Sequence, residues 1–485
     1  MSTLNGHEPR KLRRVLGFWA AYGCAVGLVV SGTAMFTVGH VAGVAGYATF
    51  IAAFIALVPM MAAAFAFGEL TAMLPGGGMI SDYTLPALGR FWGVFALLSG
   101  YVLLIACDGG SQLVMGGLAT ESLLGIPQPV VTGLMFAFII IINYISVDFF
   151  GKVEATLSIA LMIIFVVLAV VGTLGLGESM GVAEPVNAGM PILPEGGLPT
   201  VLGYVGITIW FYIGFEFACP MAEENKRPHK NIPYGLILGL ITICAVKVTF
   251  SIGAAKYSNL ELLQTSPIPH VEAATAMLGT LGFATMTILT ILCSFTTGNM
   301  YAAGLPRMLY GLARENMVPS MFAKIHPKFR TPTNGVIFTG VLILITMIII
   351  TIRGADPDIV LTFIMTACIC WMISYAIAMI DVLVLRKKYP DYPRLWKAPF
   401  AYITLPIGMI GVIYCIVTLA DYLIYSVIAM AIVALYAVVW MKYKKIEMFK
   451  PVPIENIATE IRNRSEYLPE WDEAVAEWLA KREKK

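Results

Sequence analysis

The chain has 485 residues, of which 58% are hydrophobic and only 13% charged, whereas an ordinary soluble domain carries about 25% charged residues. With a mean hydropathy of +0.81 there is more apolar surface than a globular core can use. The net charge of +2 is too small to suggest nucleic acid as a partner.

A hydrocarbon core about 30 Å thick asks for helices of about 20 apolar residues, and the chain offers about twelve such runs. They lie near 16–40, 44–73, 91–118, 129–148, 154–175, 200–222, 233–256, 280–312, 334–352, 358–385, 401–419 and 422–442. The expected fold is an all-α polytopic membrane protein. Residues 1–15 form an N-terminal segment, 16–442 the membrane domain and 443–485 a polar C-terminal tail. The first run is too long for a cleaved signal peptide and has no small-residue cleavage site, so it is expected to stay as the first span.

Placing the N-terminus inside puts nearly all Lys and Arg on the inner side, including Arg10, Lys11, Arg13 and Arg14, Lys226, Arg227, Arg386, Lys387 and Lys388. Only Lys256 and Arg353 fall outside. This bias predicts a cytoplasmic membrane protein with both termini in the cytoplasm. In the tail, Trp471 and Trp478 stand seven residues apart on a helical stretch. That stretch could lie on the membrane surface or on the cytoplasmic loops, and a plain solvated or weakly docked tail is the expectation.

A span interrupted by helix breakers must line protein or water, because lipid satisfies no free N–H or C=O group. The first run reads GCAVGLVVSGTAMF and the sixth WFYIGFEFACP, with Gly214 in mid-span and Pro220 six residues on. Any one glycine is explained by close helix packing. Two interruptions five spans apart point instead to a transport site between inverted repeats. The repeats are expected over about 16–175 and 200–385, with two helices appended at 401–442.

Three motifs carry a resemblance. They are WFYIGFEFACPMAEENKRPHKNIP, FAFGELTAMLPGGGMISDY and MLYGLARENMVP. On these residues the chain resembles the amino acid/polyamine/organocation permease superfamily, from about Leu16 to about Pro399. The run GLVVSGTAMFTVGHVAGVAG is most similar to its ethanolamine-permease-like branch. The resemblance implies a LeuT-type five-plus-five fold with discontinuous first and sixth helices. It also implies secondary transport of amino acids or small organic amines, with exchange or facilitation without ion coupling as the alternative.

Asp108, in IACDGGSQ, has no basic residue within a helical turn. An acid at mid-bilayer must face a cavity, a partner or a cation. The resemblance places it among substrate contacts, where it meets a substrate ammonium; an ion pair with Lys247 is the rival. Glu216 is either the coupling or gating carboxyl of its family motif or an acceptor for backbone freed at the break. Lys247, the only lysine deep in a span, is expected to neutralise Asp108 or Glu216, or to snorkel towards water.

By resemblance, Trp210 is an aromatic gate and Tyr301 a substrate-stacking ring, while Ser31, Gly32, Thr33, Gly214 and Phe215 offer backbone groups to the substrate. Many proton-coupled members have a lysine in the fifth span where Leu161 stands here. That argues against this lysine-based mechanism and leaves H+ and Na+ open as coupling ions.

Other signals point away from chemistry. Gly76, Gly77 and Gly78 follow Pro75 without the Gly-Lys-Ser/Thr of a phosphate loop. The five histidines have no metal-ligand spacing, and the eight cysteines lie in apolar runs as small packers. No cofactor, metal or enzyme activity is expected, and a channel or membrane-embedded sensor is a lesser reading.

Overall fold

A computed structural model describes residues 13–145 and 151–483. Among the described residues the chain is helical apart from turns and one isolated bridge between Leu16 and Asn225.

The first span is broken. Helix α1 (Phe18–Gly27) stops, four residues run outside regular helix, and α2 (Gly32–Ala45) restarts. Ser31 is the reason for the restart: its extended backbone (φ −125°, ψ 160°) lets Oγ accept from Ala34 N–H at 3.3 Å, satisfying one of the donors a helix start leaves open. After a turn at Gly46, which has φ +55°, α3 (Thr49–Met73) begins. The 42 residues from Gly32 to Met73 would span roughly 60 Å at 1.5 Å per residue, twice the hydrocarbon core, so they make two crossings.

Helices α4 (Ile80–Ala87) and α5 (Arg90–Leu97) lead through a π-helical turn at Leu98–Val102 into α6 (Leu103–Leu124). Next come α7 (Gln128–Ile145) and α8 (Gly151–Thr173), then the short α9 (Leu176–Ser179) and α10 (Leu198–Gly203).

The sixth span is broken too. Helix α11 (Val205–Thr208) tightens into a 3-10 turn at Ile209–Phe211, and a second 3-10 helix, Phe215–Glu223, leaves at 41° to it. The remaining membrane helices are α12 (Pro228–Tyr257), α14 (Pro269–Arg314, kinked at Gly279), α15 (Thr333–Ile352), α16 (Pro357–Lys388), α17 (Ala401–Thr418) and α18 (Ala420–Lys444). The short α13 (Leu260–Thr265) precedes α14.

Among the described residues, ten helical stretches are long and apolar enough to cross a membrane, and the bent pair adds an eleventh. Dividing Gly32–Met73 at Gly46 reconciles that count with the twelve runs of the sequence. Burial separates the roles of the helices: the apolar stretch of α16 is 72% buried, that of α18 only 17%. The two appended helices are thus peripheral, and α16 belongs to the scaffold around the breaks.

The tail departs from expectation. It folds into α19 (Ile454–Arg464) and α20 (Pro469–Glu483) and docks on the loops. Its helices are charged on one side only, for Ile454, Ile457 and Ile461 form a buried stripe and Trp471 is 1% exposed. Trp471 Nε1 donates to the Met73 carbonyl at 2.8 Å. Arg464 reaches Glu460 at 2.7 Å, Glu315 at 3.5 Å and Asp82 at 3.8 Å. From the other chain end, Arg14 donates to the Ala222 and Asn225 carbonyls at 2.7 and 3.0 Å and to Ser465 Oγ at 3.0 Å.

Candidate functional site

Three of the buried ionisable side chains lie at or beside the two breaks, and each is satisfied differently. Asp108, on α6, is fully buried. Its Oδ2 accepts from Tyr301 Oη at 2.7 Å and from Gln112 Nε2 at 2.9 Å. Its Oδ1 has no hydrogen-bond partner among the described residues. Gln112 also binds the start of α2, donating to Thr33 Oγ1 at 2.6 Å and accepting from Thr33 N–H at 3.2 Å. The structure therefore brings Thr33, Asp108 and Tyr301 together at the first break.

Spacing explains the convergence. Residues 108, 112 and 115 share one face of α6, while 294, 297 and 301 share one face of α14, because positions three and four apart are neighbours on a helix. A Cβ on Gly32 would collide with Ser294 Oγ and stand 3.0 Å from Met115 Cβ. Only glycine lets these helices approach so closely. Among the described residues Ser294 Oγ and Thr297 Oγ1 are buried without partners, so this face of α14 adds two hydroxyls to the polar centre. Sequence reading missed Gln112, Ser294 and Thr297.

Glu216, also fully buried, sits in a cage of donors from the scaffold. Tyr101 Oη and Trp371 Nε1 donate to Oε1 at 3.0 and 2.7 Å, and Tyr375 Oη donates to Oε2 at 2.5 Å. Tyr375 Oη in turn accepts from Gly214 N–H at 3.1 Å. The break itself needs glycine: Gly214 has φ +109°, and a Cβ there would lie 2.8 Å from Leu28 Cδ2. The two breaks thus touch. Phe215 packs against Tyr375 at 5.5 Å and edge-on to Phe67 at 6.3 Å between ring centres.

Trp210 is placed with the Glu216 cage rather than with Asp108. Its ring is edge-on to Trp371 at 6.4 Å, and its Nε1 is buried without a partner among the described residues.

Lys247, on α12, corrects an expectation. It pairs with neither acid; its Nζ donates to the main-chain carbonyls of Phe211 and Val29 at 2.7 and 3.0 Å. Those carbonyls are available because both helices are interrupted there, which no side-chain pattern reveals.

The other motif residues serve the scaffold. Glu69 of FAFGELTAMLPGGG binds Arg386 at the end of α16, at 2.6 and 2.9 Å. Gly77 N–H donates to Glu223 of the broken sixth span at 2.8 Å, joining two of the three motifs. Leu161 is buried on α8.

The amino acid permease family model matches residues 16–443. The chain belongs to that family. The permease is 25% identical over 460 residues to the branched-chain amino acid permease BcaP of Bacillus subtilis, covering 88% of this chain and 94% of that one. It is 24% identical over 439 residues to the glutamate/serine transporter AimA of the same organism, covering 82% of this chain and 76% of that one. In fold it is similar to a variant of the Eremococcus coleocola manganese transporter, with a TM-score of 0.57 at 13% identity, covering 90% and 95% of the two chains. The permease is a multi-pass membrane transporter with a LeuT-type fold, as the broken first and sixth spans predict.

Proposed function

We propose that the permease carries an amino acid or a small organic amine across the cytoplasmic membrane by alternating access, both termini being cytoplasmic. The observation that carries the reading is Asp108. A carboxylate buried in a membrane domain needs a partner, and one of its oxygens has none among the described residues while the other is held by Tyr301 and Gln112. A substrate ammonium answers that demand. Ser31, Gly32 and Thr33 at the start of α2 then receive a substrate carboxylate, since a helix N-terminus attracts anions. Gly214 and Phe215 line the second break, with Tyr301 and Trp210 as the aromatic walls.

Glu216 and Lys247 are the gating pair, one holding the sixth break to the scaffold and the other holding both breaks to α12. The relatives named for amino acid transport favour a zwitterionic substrate, which uses both poles of the site. H+ and Na+ are the coupling ions to test, against exchange without ion coupling.

The experiment has two steps. A thermal-shift screen of the purified permease against amino acids and amines identifies the ligand, since a ligand bound only by the folded state raises apparent stability. Uptake into proteoliposomes is then compared for the wild type and Asp108→Asn. Saturable uptake that the variant severely impairs is expected. Unchanged uptake by Asp108→Asn removes Asp108 from the site.

A further inference from the structure

We infer that Lys247 is a positioning residue whose amino group fills, from within the chain, a carbonyl-lined cation position between the two helix breaks. The inference rests on reading those breaks as the transport gate, and it adds that this position needs no inorganic cation.

The backbone accounting leads there. In an unbroken helix the Val29 carbonyl would accept from the N–H of Thr33, four residues on. Thr33 N–H goes instead to Gln112 Oε1 at 3.2 Å. The Phe211 carbonyl would accept from Phe215 N–H, but Gly214 turns the chain aside at φ +109°. Each break therefore strands a buried carbonyl, and a buried acceptor left without a donor is destabilising. One side chain answers both. Lys247 is 1% exposed, and its Nζ lies 2.7 Å from one oxygen, 3.0 Å from the other and 5.5 Å from the centre of the Phe211 ring.

Carbonyls freed by unwound membrane helices are general cation ligands, and an aromatic face beside them adds to the attraction. What distinguishes this arrangement is that the occupant is covalently tethered to a third helix. Helix α12 is packed directly on the half-helix before the first break, where Gly239 leaves room for Ala25 at 3.2 Å from a built Cβ. The two breaks are thus pinned to one another through a rigid neighbour. Moving either half-helix away from α12 must release one of the two hydrogen bonds, so the clasp sets the relative position of both halves of the substrate site.

The test uses the purified full-length permease and its thermal unfolding in NaCl, in N-methyl-D-glucamine chloride and with added n-propylammonium, which replaces the part of the side chain beyond Cβ. The wild type is expected to unfold at the same temperature in all three. Lys247→Ala is expected to unfold several degrees lower in N-methyl-D-glucamine and to recover part of that loss in sodium or propylammonium. Lys247→Met fills the space without a donor and is expected to lose stability without recovery. Lys247→Arg keeps donors and is expected to stay near the wild type; equal stability of the Arg and Met variants overturns the inference even if the Ala variant does not fold.

Repeating the series on Asp108→Asn separates the two proposals. Recovery of Asp108→Asn/Lys247→Ala by propylammonium supports the clasp independently of the acid. Stabilisation of the wild type by the amine that disappears in Asp108→Asn concerns the substrate site alone. A Lys247→Ala protein that responds to no cation, or a wild type that gains as much from sodium as the variant does, overturns the inference.

Discussion

Replacing Glu216 tests whether its cage holds the sixth break to the scaffold. Three donors converge on the buried carboxylate, at 2.5, 2.7 and 3.0 Å. A hydrogen bond to a charged group contributes roughly 1.5–3 kcal/mol net, so the three together contribute on the order of 4–9 kcal/mol before the carboxylate's burial is counted. That burial costs several kcal/mol, and breaking such an arrangement by deleting one partner costs about 3–5 kcal/mol. Glu216→Ala is therefore expected to lose about 3–5 kcal/mol.

Glu216→Gln keeps an acceptor for Tyr101 and Trp371, and Tyr375 Oη can accept from the new amide. It is expected to lose about 1–2 kcal/mol, near the value of one ordinary hydrogen bond. Reversible unfolding in mixed detergent micelles, followed by tryptophan fluorescence, reports the difference. Tyr375→Phe should cost less on the Glu216→Ala background than on the wild type, since its acceptor is already gone and only the bond from Gly214 N–H is left to lose. Equal losses for Glu216→Ala and Glu216→Gln, or full additivity with Tyr375→Phe, would refute the cage as the anchor.

Gly214→Ala places a Cβ against Leu28 at a φ of +109° and is expected to cost about 1–3 kcal/mol together with most of the uptake; wild-type melting and uptake would count against it. Trp471→Ala is expected to weaken tail docking by about 3–5 kcal/mol, as for other large buried aromatics, and to expose the tail to protease. An equally protected tail would mean that the isoleucine stripe seats it alone.

Docking should also depend on pH. Burial, with Asp82 and Glu460 nearby, pushes the Glu315 carboxyl up to about 8, and burial pushes Asp82 up to about 6 against the pull of Arg464. Both acids bind a proton more tightly than a free carboxyl does, and undocking α19 would open them to water. Docking is therefore strongest below the ordinary carboxylate range and weakens as pH rises through about 6 and then about 8. Proteolysis of the tail across that range should show the trend, and Glu315→Gln should flatten its upper part; an unaltered profile in that variant would contradict the assignment.

The membrane helices were legible because each apolar run is long, and the two breaks because Ser31-Gly32 and Gly214 interrupt apolar runs at matching places. Asp108 was legible as a lone acid in lipid-like surroundings, and family resemblance supplied Tyr301, which proved to be its hydrogen-bond partner. Gln112, Ser294 and Thr297 escaped because single uncharged polar residues are common in membrane helices. Their spacing, four residues from Asp108 for Gln112 and four and seven from Tyr301 for Thr297 and Ser294, is the signal that would have found them. The partners of Lys247 were beyond sequence reading, since a main-chain carbonyl looks the same at every position and only the path of the backbone frees it. In the tail, the heptad-spaced Trp471 and Trp478 drew attention, while the decisive pattern was Ile454, Ile457 and Ile461.

The meeting of the two chain ends has a consequence for biogenesis. Arg14 Nε donates to the Glu466 carbonyl at 3.0 Å across 452 positions, so that contact forms only after the ribosome has released residue 466. Until then the Met73 carbonyl waits without Trp471, and Arg14, which can already cover the Ala222 and Asn225 carbonyls, waits for Ser465 and Glu466. A chain that stalls or is cut before α19 has every membrane helix and still lacks its closing piece, which gives quality control a ready distinction between a finished permease and an unfinished one.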